Sequence, residues 1–400
     1  MTSLPRFLPT PKVSAEGHRV TTFELLFDLV FVFAFTQVTQ FMAHEHSAIG
    51  VLQALIILGI LWWSWSSYAW LSNQTHVDEG IVRLGMCVAM AVMFVIALVI
   101  PEGFHDMDGG LSGPLVLAVA YLLVRVIHLS LYLLAAGTDS DLRRQVLRTS
   151  ASLAVGSSLM IVGAIIGGEA QLWFWIGGLV ADIVLTYVTS AGGAWRLHSA
   201  AHWAERHGLV IILALGESVV AIGVGAAQQA VSVEIIVGAV LAIALSIGLW
   251  WLYFDVLAIA AEHILGRREG VARAQLATDA YTYVHLVLIG GVVISALGVE
   301  EAIAHIASDE PFGLFGSAAL LGGTSLYLAG HALFWRRVGG TWKYFRLGGG
   351  ALLLALIPVA VTVPALAALA GTVVITLAVV VIETVRYRQP RAEIRAAASS

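Results

Sequence analysis

Apolar segments of membrane-spanning length follow one another along nearly the whole chain of 400 residues. A helix needs about 20 mostly apolar residues to cross roughly 30 Å of hydrocarbon. The segments that meet this requirement are 22–43, 49–71, 81–101, 113–136, 148–167, 171–191, 207–228, 234–258, 274–298, 312–335, 347–368 and 370–386. They lack the period-two alternation of membrane β-barrel strands. The pattern predicts an all-α, polytopic integral membrane protein with about twelve transmembrane helices.

The composition agrees with this class and excludes two others. Hydrophobic residues make up 59% of the chain and charged residues 12%, whereas soluble domains carry about 45–50% and about 25%. The single cysteine excludes a secreted disulfide scaffold. The net charge of −5, with no basic block outside short loops, excludes nucleic acid as a partner. The lipid bilayer is the expected partner.

Lysine and arginine fall in alternate loops between the predicted spans. If the N-terminus is cytoplasmic, no lysine or arginine lies in an outer loop, and those loops hold acidic residues such as Glu102, Asp106 and Asp309. Cytoplasmic loops of membrane proteins carry an excess of basic residues. We therefore expect both termini in the cytoplasm.

Similar short motifs recur about half a chain apart. The second span contains Trp62-Trp63 and the eighth contains Trp250-Trp251, and a cytoplasmic loop with an acidic residue and a glycine follows each. Because six spans are an even number, the pattern predicts two parallel six-helix repeats, a plan found in transporters. The predicted organisation is a cytoplasmic N-terminal segment (1–20), a first six-helix half (21–191), a cytoplasmic connector (192–206), a second six-helix half (207–386) and a cytoplasmic tail without ordered structure (387–400).

Ionisable side chains inside or beside the predicted spans are candidates for a ligand or proton site. Such groups are costly in lipid and usually face a bundle interior or a wet cavity. The candidates are Glu24, Asp28, Arg125, His128, Arg206, His207, Glu217, Asp255, His263, Asp279 and His285. Most fall in the cytoplasmic half, which predicts an inward-facing polar cavity. Arg125 lies deep in its span, so we expect it to pair with Asp28 or Glu24.

Two of these acidic residues also have a purely structural interpretation. Thr21 and Glu24 have the spacing of a capping box, in which both side chains accept hydrogen bonds from amides at a helix start. Glu217 lies in the middle of its span, where a carboxylate can instead bridge helices by hydrogen bonds.

A metal site is a further hypothesis, although no cofactor is firmly implied. In a helix, His198, His202 and Glu205 would lie on one face at i, i+4 and i+7, a geometry that can hold zinc. No glutamate follows the first histidine as a metalloprotease motif requires. An interfacial helix with histidines facing headgroups is the alternative.

Three motifs resemble those of the bacterial low temperature requirement protein A (LtrA) family. They are the stretch from Phe23 to Val32 (FELLFDLVFV), the stretches His202–Gly208 (HWAERHG) and Leu215–Val219 (LGESV), and Tyr253-Phe254-Asp255 leading to Glu262-His263. The resemblance covers nearly the whole chain. It implies a multi-pass protein of the bacterial cytoplasmic membrane, linked by name to growth in the cold, without a settled molecular activity. It also implies that the three acidic segments belong to one site.

Three functions are compatible with these features. A transporter-like carrier is favoured by the repeated plan and the intramembrane carboxylates; its ligand would be a small solute, a proton or a lipid. An intramembrane lipid-modifying enzyme is favoured by histidines near the inner interface, but no nucleophile–base pair has diagnostic spacing. A non-catalytic membrane adaptor is the third. Whether the protein is an enzyme stays open, with a non-enzymatic role favoured.

Overall fold

The computed structural model describes residues 17–190, 195–227 and 229–399, and in these ranges it is built from α-helices. The helices are α1 (Thr22–Glu45), α2 (Ala48–Gln74), α3 (Gly80–Val99), α4 (Gly113–Ala136), α5 (Ser140–Ile166), α6 (Gly168–Ser190), α7 (Ala200–Ala226), α8 (Val233–Phe254), α9 (Leu257–Gly266), α10 (Gly270–Leu276), α11 (Val284–Ala304), α12 (Gly313–Ser317), α13 (Gly323–Gly339), α14 (Tyr344–Ala360), α15 (Ala365–Arg386) and α16 (Arg388–Ser399).

Short π-helical segments join two pairs of these helices. Ala277–Tyr283 connects α10 to α11, and Ala318–Gly322 connects α12 to α13. Each pair therefore continues as one long apolar rod. A π-helical turn contains extra backbone and is frequent at functional sites.

Eleven apolar rods in the described residues are long enough to cross a membrane. A twelfth apolar helix, α14, has 17 residues. These lengths and compositions confirm the all-α class and the multi-pass membrane architecture. The arrangement as twelve spans in two repeats stays a prediction.

Two boundaries differ from the sequence-based expectation. Helix α7 begins at Ala200, inside the predicted connector 192–206. The tail, which was expected to lack ordered structure, forms α16 from Arg388. Its alanines, arginines and glutamate favour helix, and Pro390 lies in the first turn, where proline is tolerated.

The described residues divide into two compact units. The first unit contains residues 17–38, 52–190, 195–205 and 269–274. The second contains residues 39–51, 206–227, 229–268 and 275–399. Each unit is described by itself below.

Helices α3 to α6 of the first unit pack against their neighbours in chain order. Small residues let α5 and α6 approach closely. A Cβ at Gly156 would lie 2.9 Å from the carbonyl oxygen of Gly178, and a Cβ at Gly178 would lie 2.8 Å from that of Gly156. Glycines at such contacts are typical of helix packing in membranes, where van der Waals contact replaces the hydrophobic effect.

The second unit is centred on α11, which packs against α13. Glycines again form the closest approach. A Cβ at Gly291 would meet the backbone nitrogen of Tyr327 at 2.5 Å, and one at Gly298 would meet that of Leu320 at 2.2 Å. Since backbone atoms cannot yield as a side chain can, α11 requires glycine at both positions, at Gly291 against α13 and at Gly298 against the π-helical segment that precedes α13.

Adjacent glycines in α11 provide a test of this packing. We expect Gly291→Ala to force α11 and α13 apart and to lower stability by about 1–3 kcal/mol, as overpacking does. Gly290→Ala is the matched control, because a Cβ there has no neighbour within 4 Å. Thermal unfolding of the detergent-solubilised protein measures both changes. Equal melting temperatures for the two variants would contradict the close approach.

Candidate functional site

A buried contact between a carboxylate and an imidazole joins α1 to α7 in the first unit. Nε2 of His202 lies 2.8 Å from Oε1 of Glu24. Both residues are fully buried, and each lies in the first turn of its helix. Burial of a carboxylate is costly unless it accepts hydrogen bonds or meets a charge, so this contact ties the two helix starts together.

Asn73, near the end of α2, determines which nitrogen of His202 carries the proton. Its Oδ1 accepts hydrogen bonds from the backbone N–H groups of His198 (2.7 Å) and Ser199 (3.3 Å). Its Nδ2 donates to the Ser199 carbonyl at 2.8 Å and lies 3.2 Å from Nδ1 of His202. Because an amide NH₂ can only donate, Nδ1 accepts, and the imidazole proton lies on Nε2, from which it is donated to Glu24.

The capping box predicted at the start of α1 is confirmed. Oε2 of Glu24 accepts hydrogen bonds from the backbone N–H of Thr21 (2.9 Å) and from its hydroxyl (3.1 Å). Oγ1 of Thr21 accepts from the backbone N–H of Glu24 at 3.3 Å. Glu24 thus uses one oxygen for the helix start and the other for His202. Its role in a ligand or proton site stays a prediction.

His18 adds a third titratable group to this pair. Its ring centroid lies 5.0 Å from that of His202, and burial lowers its pKa below the usual value for histidine. One ligand atom from each of His18, Glu24 and His202 lies within 4.8 Å of the others. Two histidines and one carboxylate are a ligand set that zinc uses in catalytic sites.

The metal-ligand set expected on one face of α7 is not formed. His198 precedes the helix because Asn73 binds its backbone, and Nε2 of His198 lies 3.1 Å from Oε1 of Gln74. Glu205 accepts a hydrogen bond from the backbone N–H of Val20 at 3.1 Å. Of the predicted three, only His202 belongs to the group that could hold a metal.

Arg125 of α4 pairs with Asp182 of α6, so the expected pairs with Asp28 or Glu24 are wrong. NH2 of Arg125 lies 3.3 Å from Oδ1 of Asp182, and the two side chains are 2% and 0% exposed. Tyr121, one turn before Arg125, donates its hydroxyl to the same carboxylate. Asp28 instead accepts a hydrogen bond from Nε1 of Trp65 at 2.9 Å.

His128 lies one turn beyond Arg125 and is buried among aromatic rings. Its centroid is 5.4 Å from that of Tyr68 and 5.5 Å from that of Tyr132. The Tyr68 hydroxyl donates to the carbonyl of Val124 at 2.8 Å. His128 therefore lies beside the Arg125–Asp182 ion pair and does not take part in the Glu24–His202 contact.

Histidines and tyrosines form the buried polar centre of the second unit. The hydroxyl of Tyr253 lies 2.8 Å from Nε2 of His285. The π-helical segment before α11 places Tyr281 parallel to His285, with centroids 5.0 Å apart. His207 meets both rings edge-on, at 5.2 Å from Tyr281 and 5.0 Å from His285. This brings together two residues predicted from the sequence, His207 and His285, with two tyrosines.

A second buried ion pair stands beside this centre. Arg346 of α14 donates from NH2 to Oε2 of Glu383 at 2.9 Å and from Nε to Oε1 at 3.1 Å. NH1 of Arg346 contacts Nδ1 of His331, whose ring lies 5.9 Å from that of Tyr253. Neither Arg346 nor His331 was among the predicted site residues.

The other predicted residues of the second unit lie at separate places. Arg206 and Glu217 are buried in α7, whereas His263 is exposed on α9. Asp279 accepts a hydrogen bond from Arg337 at 2.7 Å, and Asp255 pairs with Arg391 and Arg395 of α16. Glu24 and Asp28 belong to the first unit and Glu217 and Asp255 to the second, so a common cavity for the four stays a prediction.

Asn73, Tyr281 and Arg346 were missed for different reasons. Asn73 carries no charge, so a search for ionisable residues in spans passes over it. Tyr281 follows a predicted site residue, Asp279, by two positions, and residues with this spacing do not face each other in an α-helix. Arg346 stands at the edge of an apolar segment, where basic residues normally face headgroups.

Comparison with known proteins agrees with the motifs described above. The sequence profile described as bacterial low temperature requirement A protein (LtrA) matches residues 19–381. An uncharacterized protein of Rhizobium meliloti (strain 1021) is 29% identical over 370 residues, which are 89% of this chain and 87% of the relative. No solved structure matches the chain.

The buried ion pair of the first unit leads to a stability prediction. We expect Asp182→Ala to lower the unfolding free energy by about 3–5 kcal/mol, because the Arg125 guanidinium would stay buried without a counter-charge. The double variant Arg125→Met/Asp182→Ala should recover much of this loss.

The exposed pair Arg144–Asp141 supplies the control. Its side chains are 66% and 70% exposed, and exposed pairs contribute little. Asp141→Asn should therefore leave thermal unfolding in detergent unchanged. If Asp182→Ala unfolds at the wild-type temperature, or the double variant is as unstable as the single one, the ion pair does not hold α4 to α6.

Proposed function

We propose that this chain, which belongs to the bacterial low temperature requirement A (LtrA) family, is a transporter-like carrier with an inward-facing cavity lined by acidic and histidine side chains. The observation that carries this proposal is the buried Glu24–His202 contact of 2.8 Å. Ionisable groups inside membrane segments mark ion pathways and proton relays. The ligand would be a small solute, a proton or a lipid.

The hydrogen bonds around Glu24 suggest how a proton would act. The Asn73 amide faces Nδ1 of His202, so an added proton goes to the Glu24 carboxylate. Protonation replaces an acceptor by a donor, and Thr21 then loses acceptors for its N–H and hydroxyl. The first turn of α1 would loosen, which links proton uptake to a movement of the helix start.

An intramembrane lipid-modifying enzyme is the second candidate, because His18, Glu24 and His202 could hold a metal. The Asn73 amide weighs against it. A histidine that binds metal through Nε2 needs Nδ1–H to donate to an acceptor, and Asn73 presents a donor there. A non-catalytic adaptor has no observation of its own in its favour.

The membrane location and the repeat are parts of the same proposal. We place the protein in the bacterial inner membrane with both termini in the cytoplasm, supported by the segregation of lysine and arginine. An internal repeat is supported by the recurrence of Trp62-Trp63 in the second predicted span as Trp250-Trp251 in the eighth.

Transport measurements test the carrier. Purified protein in liposomes should give proton-linked currents with one member of a panel of amino acids, sugars and organic acids. Glu24→Gln, which mimics the protonated carboxylate and cannot release a proton, should abolish these currents. Asp141→Asn, on the exposed start of α5, should retain them.

Metal analysis of the same preparation separates the candidates. We expect no stoichiometric metal in a carrier, because the Asn73 amide holds His202 in the tautomer that does not bind metal through Nε2. One zinc per chain, lost together with an activity in His202→Ala, would favour the enzyme. If no member of the panel gives a current and no metal is bound, the result would favour the non-catalytic adaptor.

Cysteine labelling tests the orientation. Asp106, Asp309 and Arg144 are exposed, and Cys87 can be replaced by serine to give a cysteine-free background. In intact cells, a membrane-impermeant maleimide should label Asp106→Cys and Asp309→Cys but not Arg144→Cys. The reverse pattern would invert the proposed topology.

A further inference from the structure

A cavity of about 250 Å³ opens beside α16 in the second unit, where α8, α13 and α15 end and α14 begins. Charged residues and aromatic rings line it together. The lining residues used in the argument are Asp255, Trp335, Lys343, Arg346, Glu383 and Arg391. All these lining residues belong to the second unit, whereas Glu24 and His202 belong to the first.

Both carboxylates of the cavity are already matched by arginine. Asp255 pairs with Arg391 and also with Arg395 of the same helix. Glu383 accepts hydrogen bonds from Nε and NH2 of Arg346. Each carboxylate of the cavity is therefore already paired with an arginine, and none remains to bind an additional cation.

Lys343 is the cation that these carboxylates do not bind. Its Nζ lies over the ring of Trp335, 4.6 Å from the centroid, and 5.6 Å from that of Tyr387. Among the described residues it makes no ion pair with a carboxylate. Burial is the main cause that lowers the pKa of Lys343, and repulsion from Arg346 is the second. The cavity thus holds an excess of positive charge that an anion would neutralise.

The rim of the cavity has the composition of a membrane interface. Trp251 and Trp342 are 37% and 40% exposed, and both belong to the lining. Tryptophan concentrates at the level of lipid headgroups. Basic pockets between membrane helices bind anionic headgroups, and 250 Å³ lies just below the usual range for small-molecule sites.

We propose that this cavity binds the phosphate group of an anionic phosphoester, with Lys343 and Arg391 as its charged contacts and Trp335 as its wall. Two sources share this chemistry: the headgroup of an anionic phospholipid and a soluble phosphoester. A phosphate presents several acceptor oxygens, and lysine binds it as a point charge while arginine can offer two donors. The flanking tryptophans favour the lipid.

Titration of the purified protein with phospholipids tests the site. Native mass spectrometry should show dioleoyl-phosphatidylglycerol retained on the wild-type protein and dioleoyl-phosphatidylcholine retained far less. Lys343→Gln should weaken phosphatidylglycerol binding by roughly tenfold, the order expected for one charge-assisted hydrogen bond. Lys343→Arg should restore it.

Arg386→Gln is the matched control, because Arg386 is exposed near the end of α15 and does not line the cavity. It removes the same charge from the same region and should leave binding unchanged. Glycerol 3-phosphate identifies the source: displacement of phosphatidylglycerol at millimolar concentration supports a soluble phosphoester, and its failure to displace supports the lipid.

Three results would overturn the site. They are equal retention of the two phospholipids, wild-type binding by Lys343→Gln, and an equal loss in Arg386→Gln. If Lys343→Gln unfolds in detergent, Trp335→Leu provides the second variant, since it removes the cavity wall without changing charge and should also weaken phosphatidylglycerol binding.

Discussion

The cost of placing charge in a low-dielectric interior determines which helices of this protein must touch. A buried guanidinium needs both a counter-charge and hydrogen-bond acceptors. Arg125 obtains them from Asp182, which holds α4 beside α6, and Arg346 obtains them from Glu383, which holds α14 beside α15. Without these pairs the helices could slide past one another, because an apolar side chain such as leucine is equally stable against lipid tails and against a neighbouring helix. The ion pairs therefore specify contacts that apolar packing alone leaves open.

The membrane-spanning helices were predictable because an apolar run of span length is a local property of the sequence. Apolar runs of span length predicted the membrane-spanning helices, and the spacing of Thr21 and Glu24 predicted the start of α1. The partner of Arg125 was not predictable in the same way, since several carboxylates were equally deep in their spans. One local signal was present: Tyr121 and Arg125 are four residues apart and share a helix face, so a single acceptor can meet both.

The expected ligand face of α7 failed for a reason that lies outside α7. Helical spacing assumes that His198 is already in the helix. Asn73 instead accepts hydrogen bonds from the backbone of His198 and Ser199, and those residues stay outside the helix, which begins at Ala200. A neutral side chain more than 120 positions away in the sequence thus decides where α7 starts. Sequence patterns within one segment carry no information about such a contact.

The polar centres of the two units differ in a way that bears on the proposed repeat. In the first unit His202 meets a carboxylate. In the second unit His285 meets the hydroxyl of Tyr253, and a tyrosine–imidazole contact in an apolar wall remains neutral on both sides. A repeated architecture does not require repeated chemistry. Under the proposed duplication, the second unit has a tyrosine–imidazole contact where the first has a carboxylate–imidazole contact.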